Sequence, residues 1–331
     1  MKARLVAKGF QENCEDIRTD SPTCGKDSLR MILVIAATKS WKVSSLVIKS
    51  AFLQGRTIER EVYVKSPIDF GDGKLWKLNK CLYGLNYASR EWYLKVDEAI
   101  TEIGGKRSMI DNAVFFWTQN QELIGMCACH VDDFILCGSE GFLSVVISEI
   151  KNRFRVSSEC DGMFKYIGLQ IEQNGEDIKI SQNLYAHDVT PFHLNSQDSY
   201  NETQIYPAQK RDLRSLVGQL LWISSHSRPD IAYDVCDIST SVKDATQRDL
   251  LNVNKKIRKM KMEDVKLIYP ELGEISEVEL ICYTDASFKH LKGNASKGGH
   301  IVFLKGINWK YSPIARQSKK IKRIVKSTIA A

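Results

Sequence analysis

The chain has 331 residues, which is enough for about two domains and for a sizeable buried core. Apolar residues make up 43% and charged residues 26%, a balance that excludes a largely disordered chain. The 47 lysines and arginines exceed the 40 aspartates and glutamates, so the formal net charge of +7 is compatible with a polyanionic partner without establishing one.

Hydrophobic periodicity predicts a mixture of helices and strands without the regular βαβ alternation of a parallel sheet, which is typical of an α+β fold. Helical spacing is found at 26–40, 88–103, 141–154, 251–261 and 318–331, and in a mostly helical region at 185–240 that breaks at Arg228-Pro229. Runs typical of strands are found at 42–49, 61–65, 75–78, 113–117, 123–136, 164–172, 178–181 and 278–284.

Cysteine spacing and apolar run length exclude two further classes of protein. The nine cysteines include no CxxC pair, so neither a disulfide framework nor a zinc site is predicted. We expect Cys127 and Cys129, the closest pair, to point to opposite faces of a strand. The longest apolar run, 31–37, is far shorter than the ~20 residues of a membrane span, and no signal peptide is evident. We therefore expect a cytoplasmic or nuclear protein with no membrane partner and leave its oligomeric state open.

Two adjacent carboxylates, Asp132 and Asp133, interrupt an apolar strand segment. Burying an unpaired charge is costly, so these acids require an exposed turn, a cationic partner or a metal ion. The simplest interpretation is a hairpin tip, where aspartate is a common turn residue. A site for two metal ions, about 3.5–4 Å apart, would need another carboxylate from a neighbouring strand.

The motifs around this acid pair resemble, in order and over nearly the whole chain, those of the reverse transcriptases of copia-type LTR retrotransposons. Each matching segment is short, and their shared order carries the resemblance. The segments are 2–10, 49–55, 61–64, 78–85, 89–92, 131–133, 164–169, 213–218, 227–233, 283–287, 317–320 and 326–328.

The resemblance implies reverse-transcriptase fingers and palm over 1–182, a mostly helical thumb or connection over 183–272, and an incomplete RNase H-like α/β segment over 273–331. It also implies template-directed nucleotidyl transfer with two Mg²⁺ ions, or Mn²⁺ in their place. The implied partners are an RNA or DNA template-primer and deoxynucleoside triphosphates.

Individual residues receive roles from the same resemblance. Asp132 would be the main metal ligand and Asp133 a peripheral one, and Asp285 would be a metal ligand of the RNase H segment. The residues implied for nucleotide binding are Lys2, Arg4, Phe52 and Gly84. The residues implied for nucleic-acid binding are Arg90, Tyr166, Gly168, Lys319, Lys320, Lys322 and Arg323. A core position for Phe52, a turn at Gly84 and a solvated helix face for the basic cluster remain alternatives.

The chain departs from the family pattern at the first catalytic aspartate. The family has Asp-Val before the KSAF segment, where this chain has Val47-Ile48, and residues 41–54 contain no acid. Because valine offers no oxygen to magnesium, we expect polymerase activity to be severely reduced or absent. His130 replaces a tyrosine of many members, a change of less weight. The chain also begins within the fingers motif and stops before the next RNase H acid, so we expect a truncated, mutated copy without RNase H cleavage.

Three function classes remain open from the sequence. The leading hypothesis is a reverse transcriptase domain with impaired catalysis. The second is a non-catalytic nucleic-acid-binding remnant of a retrotransposon polyprotein. The third, ranked last, is a metal-dependent phosphohydrolase built on Asp132, Asp133 and Asp285. The position of Val47 relative to the acid pair tests the first hypothesis most directly.

Overall fold

The computed structural model describes residues 5–12, 17–67, 69, 73–194, 202–291 and 295–321. The chain divides into two compact units. The N-terminal unit comprises residues 1–32 and 41–167, and the C-terminal unit comprises residues 33–40 and 168–331.

Helices and strands alternate irregularly along the described residues, as predicted for a mixed α and β fold. The helices are α1 Lys26–Thr38, α2 Ala88–Glu102, α3 Glu140–Arg153, α4 Asn183–Asp188, α5 Pro207–His226, α6 Ala232–Ser241 and α7 Gln247–Met262. The strands are β1 Lys42–Ile48, β2 Tyr63–Lys65, β3 Leu75–Lys77, β4 Lys106–Arg107, β5 Val114–Gln119, β6 Glu122–His130, β7 Asp133–Gly138, β8 Val156–Asp161, β9 Met163–Tyr166, β10 Leu169–Asn174, β11 Asp177–Ser181, β12 Leu267–Tyr269, β13 Glu279–Leu291, β14 Ala295–Lys305 and β15 Tyr311–Lys320.

The N-terminal unit is built on an antiparallel sheet of six strands in the order β4-β5-β6-β7-β1-β8. Helix α3 packs on β6 and β7, and its Phe142 ring lies against two glycines of these strands. A Cβ atom added at Gly125 would lie 2.0 Å from that ring, so only glycine allows this close approach. The strands that carry the acid pair are therefore held by a closely packed layer.

The C-terminal unit combines two small antiparallel sheets with a helical core. Strands β10, β11 and β12 form one sheet, and β13, β14 and β15 form the other. Helices α5, α6 and α7 bury the apolar side chains that their helical periodicity predicts. These are Leu213, Leu216, Leu220, Ile223, Val235, Ile238, Leu250, Val253, Ile257 and Met260.

The prediction of a helix over 318–331 is wrong for residues 318–320. Residues 318–320 belong to β15, which pairs with β14 in antiparallel register, so hydrogen bonds to a neighbouring strand replace those of a helix. Residues 322–331 lie outside the described residues. The predicted strand 164–172 is also divided, because Ile167 and Gly168 both have positive φ angles. The RNase H-like assignment and the boundaries at 182 and 272 stay predictions.

The prediction for the closest cysteine pair is wrong. Cys127 and Cys129 are both buried on β6, and residues two apart in a strand share a face. All eight cysteines that the structure describes are free, and burial raises the pKa of Cys129 to about 12. This thiol is therefore neutral and unreactive at physiological pH. No helix in the described ranges is both long enough and apolar enough to cross a membrane.

Arg228, in the break between α5 and α6, is only 1% exposed yet well supplied with hydrogen-bond acceptors. Its guanidinium donates to both carboxylate oxygens of Asp230 and to the carbonyl oxygens of Met260 and Glu263. A buried cation is tolerated only with such partners. The motif at 227–233 therefore has a structural role, which is to join the α5–α6 connection to the end of α7.

Replacing Arg228 with alanine is expected to lower the free energy of unfolding by about 3–5 kcal/mol, because Asp230 and two carbonyl groups lose a buried partner. Urea denaturation followed by circular dichroism measures the change. The matched control is Arg248→Ala, which breaks the exposed ion pair with Glu202 and should cost less than about 1 kcal/mol. Equal losses in the two variants would contradict the structural role of Arg228.

Candidate active site at the β6–β7 turn

Asp132 and Asp133 lie at the tight turn between β6 and β7. His130 and Asp133 form the last pair of the ladder, so Val131 and Asp132 make a two-residue turn. Val131 has a φ of +58°, a left-handed conformation that is rare for a β-branched residue and costs about 1–3 kcal/mol. A positive φ at the first central residue, Val131, but not at the second, Asp132, is the geometry of a type II′ hairpin turn. The acids are thus presented by a strained hairpin tip.

The indole of Trp92, from α2, holds this turn in place. Its Nε1–H donates to the carbonyl oxygen of Val131 over 2.6 Å. Trp92 is 2% exposed, and its ring packs edge-on against Phe154 at 5.0 Å. The hydrogen bond is therefore shielded from water and fixes the carbonyl group of the strained residue.

Strand β1 lies beside β7 and places Val47 directly opposite Asp133. The backbone N–H of Ile48 donates to the carbonyl oxygen of Asp132 over 2.8 Å, which secures this register at the turn. Directly opposite residues point to the same face with Cβ atoms about 5 Å apart. The position predicted for the missing acid therefore lies beside the acid pair, and the carboxylate that shares its face is that of Asp133.

Strand β8 fixes Val47 from the other edge of β1. Val47 pairs with Ser158 and Ile48 with Val156, so Ser157 is an extra residue in the register. Its hydroxyl donates to the carbonyl oxygen of Val47 over 2.9 Å. Such bulges are common beside active sites, where they redirect a side chain. Val47 is also less buried than the five other residues that follow Lys42 in β1, so its side chain lies at the solvent-accessible rim.

The carboxyl group of Asp133 is partly buried and holds its proton more tightly than usual. Burial is the largest cause of the raised pKa, and the neighbouring Asp132 carboxylate raises it further. His130 and a hydrogen bond from the backbone of Ile167 lower the pKa by less. A pair of like charges in this environment is stabilised by a bound cation, because the cation offsets both burial and repulsion.

The residues present do not fit a site for two metal ions. Asp132 and Asp133 offer carboxylates, but Val47 offers no oxygen where a third carboxylate would stand. Within the described ranges, no group of three or more His, Cys, Asp or Glu side chains is arranged to hold a metal ion. Asp285 belongs to the C-terminal unit, where it is exposed on β13 opposite Gly299.

Two residues predicted to bind the nucleotide, Phe52 and Gly84, make contacts within the protein. The Phe52 ring lies 4.9 Å from that of Tyr83, within an apolar cluster. Gly84 has a φ of +93°, and a Cβ atom there would lie 2.1 Å from the carbonyl oxygen of Ala7. Glycine is therefore required for a close approach between two backbone segments. Contacts of Phe52 or Gly84 with a nucleotide stay predictions, and Lys2 and Arg4 lie outside the described residues.

The predicted nucleic-acid-binding residues of the N-terminal unit are engaged within the protein. Arg90 donates to the carboxylate and the carbonyl oxygen of Asp20, each over 3.2 Å. Tyr166 has 0% exposure. The Tyr166 ring therefore belongs to the core of this structure, and a contact of Tyr166 with a nucleic-acid strand stays a prediction.

The corresponding residues of the C-terminal unit are only partly described. Gly168 has a φ of +81° and lies beside the ring of Trp222. Lys319 and Lys320 are exposed at the end of β15. Lys322 and Arg323 lie outside the described residues, so the predicted basic cluster is tested at its first two positions only.

Sequence reasoning missed two residues that support the site. The sequence places Trp92 within a family motif and at a buried position of α2. It does not predict the hydrogen bond from the Trp92 indole to Val131. Ser157 carries no signal in the sequence, because its contact depends on the irregular pairing of β8 with β1. Both contacts join segments far apart in the chain.

Residues 1–204 match the family described as reverse transcriptase (RNA-dependent DNA polymerase), which is more than half of the 331 residues. The chain therefore belongs to the reverse transcriptase family of retrotransposon Pol polyproteins.

Among similar proteins, the retrovirus-related Pol polyprotein from transposon RE1 of Arabidopsis thaliana is 28% identical over 100% of this chain and 23% of its own length. The corresponding polyprotein from transposon TNT 1-94 of Nicotiana tabacum is 30% identical over 72% of this chain and 20% of its own length. The chain thus spans about a quarter of these relatives or less. A solved apo telomerase from Candida tropicalis aligns with a TM-score of 0.31 and 12% identity, over 48% of this chain and 40% of that one.

Asp133→Asn is expected to stabilise the fold at pH 7. The folded state binds the Asp133 proton more tightly than the unfolded chain does, so stability falls as pH rises from about 4 through the raised pKa. The amide removes this loss, and its advantage should vanish below about pH 4. Thermal unfolding at several pH values, with a chelator present, measures the effect. The control is Asp161→Asn at an exposed site on β8, and equal gains at pH 4 and pH 7 would contradict the expectation.

Trp92→Phe keeps an aromatic ring but removes the donor to Val131, and should cost about 1–3 kcal/mol of unfolding free energy. Hydrogen exchange at the amide of Ile48 should accelerate, because that amide is bonded to the same turn. The matched control on the same helix is Tyr93→Phe, which removes the hydroxyl that donates to Asn112. Similar acceleration at Ile48 in both variants would show that Trp92 does not act on the turn.

Proposed function

We propose that this chain is a reverse-transcriptase palm that binds a nucleic-acid template-primer and whose nucleotidyl transfer is severely reduced by valine at position 47. The observation that supports the proposal is the register of β1 on β7, which sets Val47 opposite Asp133. The turn, its tryptophan support and the bulge beside Val47 are all present. The proposed loss of activity therefore comes from the side chain at position 47 alone, since the backbone and the supporting contacts around it are present.

The two remaining carboxylates support a catalytic ancestry for the turn. A structural hairpin tip gains nothing from a strained valine and a partly buried acid, since glycine or asparagine would form the same turn at lower cost. Strained backbone and a perturbed carboxyl group occurring together are typical of functional sites. The phosphohydrolase alternative lacks comparable support, because Asp285 belongs to a different unit from the acid pair.

The proposal is tested by restoring the missing ligand. Val47→Asp should raise the rate of primer extension on an RNA template with Mg²⁺ by at least about 100-fold, since even the loss of an outer-shell metal partner costs 10–100-fold. The same assay is repeated with Mn²⁺ in place of Mg²⁺. The substitution is tolerable because the side chain at position 47 reaches the solvent-accessible rim of the site.

Two matched variants complete this experiment. Val47→Leu changes the same position without adding oxygen and should leave extension at the level of the unmodified chain. Val47→Asp combined with Asp132→Asn should lose the gain, because the restored set of three carboxylates then lacks the residue that the family resemblance makes the main metal ligand. Rapid synthesis by the unmodified chain that Val47→Asp does not increase would refute the proposal.

Binding is measured separately from catalysis, with a labelled template-primer and no nucleotide. The unmodified chain and the Val47→Asp variant are expected to bind it with similar affinity, because position 47 lies beside the acid pair and is not one of the residues predicted to bind nucleic acid. If the unmodified chain binds the template-primer but does not extend the primer at all, the result favours the second hypothesis, a non-catalytic nucleic-acid-binding remnant. Absence of binding in both proteins would overturn the nucleic-acid-binding part of the proposal.

A further inference from the structure

Helix α7 (Gln247–Met262) of the C-terminal unit has one buried apolar face and one exposed basic face. Leu250, Val253, Ile257 and Met260 are buried in the helical core. The helix also carries six cations and a single acid, Asp249. Asp249 is engaged in the N-terminal capping box with Thr246, so it does not neutralise the exposed face.

Three of the six cations are used within the protein. Arg248 pairs with Glu202 over 2.8 Å, Lys256 pairs with Asp234 over 2.5 Å, and Lys261 donates to the carbonyl oxygen of His187 over 2.7 Å. These contacts hold the three side chains within the unit, and for Arg248 and Lys256 a carboxylate also offsets the charge.

The other three cations, Lys255, Arg258 and Lys259, are exposed and form no ion pair within the described part of the chain. Residues separated by three and four positions are neighbours on a helix, with Cβ atoms about 5–6 Å apart. From Lys255 to Lys259 the axis rises about 6 Å, close to the rise of two nucleotides of one strand, about 3.4 Å each. Exposed Asn252 lies on the same side, one turn earlier.

We infer that this surface, the basic face of α7 formed by Asn252, Lys255, Arg258 and Lys259, binds the phosphate backbone of a nucleic acid. The inference rests on the proposed function, which requires a nucleic-acid partner, and it assigns a contact with that partner to the C-terminal unit. Unpaired cations on one face complement a regular array of phosphates, and the neighbouring cations differ from them in being already bound to acceptors within the protein.

Cations near the carboxyl end of a helix also offset the helix dipole, which is a structural role for the same residues. That role affects thermal stability but not the salt dependence of binding. The two roles therefore separate in a binding experiment, because each phosphate contact adds about 0.9 to the slope of log K against log salt on duplex DNA.

The test compares two triple variants of the full chain in binding a labelled 20-base-pair DNA duplex across a range of salt. Lys255→Gln, Arg258→Gln and Lys259→Gln together should reduce the magnitude of the slope by about 2–3, as expected for two or three lost phosphate contacts. The matched control is Arg248→Gln, Lys256→Gln and Lys261→Gln, which removes the same charge from the same helix. It should reduce the slope by less than about one unit.

Each outcome decides a different question. Equal slopes for the first triple variant and the unmodified chain, with folding verified by circular dichroism, would overturn the assignment to α7 while leaving the proposed function intact. No duplex binding by the unmodified chain would overturn both. Equal effects of the two triple variants would attribute binding to net charge rather than to this face. Loss of binding to vesicles containing phosphatidylserine, without any change on DNA, would assign the face to a lipid surface instead.

Discussion

The antiparallel register between β1 and β7 is the constraint on which the candidate site depends. It is fixed near the turn by the bond from the Ile48 amide to the Asp132 carbonyl oxygen. A shift of one residue would turn Val47 to the other face of the sheet and separate it from Asp133. The register therefore decides which acid a side chain at position 47 can meet, and that acid is Asp133.

The turn beside this register stores unfavourable free energy in two forms. Val131 is held in a left-handed conformation. Burial and the neighbouring Asp132 carboxylate both oppose the ionisation of Asp133 and raise its pKa. The hydrogen bond from Trp92 and the packing behind the sheet compensate for these costs. Valine at position 47 adds no further cost, since a β-branched residue suits a strand and carries no third negative charge. Valine at position 47 is thus compatible with the fold of the scaffold.

The C-terminal unit shows how similar residue types take different roles according to their partners. Arg228 is buried and surrounded by acceptors, so its motif is structural. On α7, adjacent lysines differ in the same way: Lys256 is paired with Asp234, whereas Lys255 is exposed. A count of basic residues cannot make this distinction, because the position of each charge relative to the acids of other helices decides it.

The sequence by itself determined the local elements and the departure from the family pattern at Val47. Periodicity located α2, α3, α7 and the strands on either side of the acid pair, since a helical or alternating apolar pattern reflects one buried face. The order of short motifs identified the family, and the absence of any acid between residues 41 and 54 identified Val47. These features depend on neighbouring residues or on chemical identity alone.

Only the tertiary structure decided which groups meet. It paired Val47 with Asp133, buried Tyr166, set Gly84 against Ala7 and made residues 318–320 a strand on β14 rather than a helix. Each of these outcomes is a contact between segments remote in sequence, and its free energy comes from pairing and burial that local propensity does not encode. Residue types thus set what each position can do chemically, and long-range register sets which of them act together.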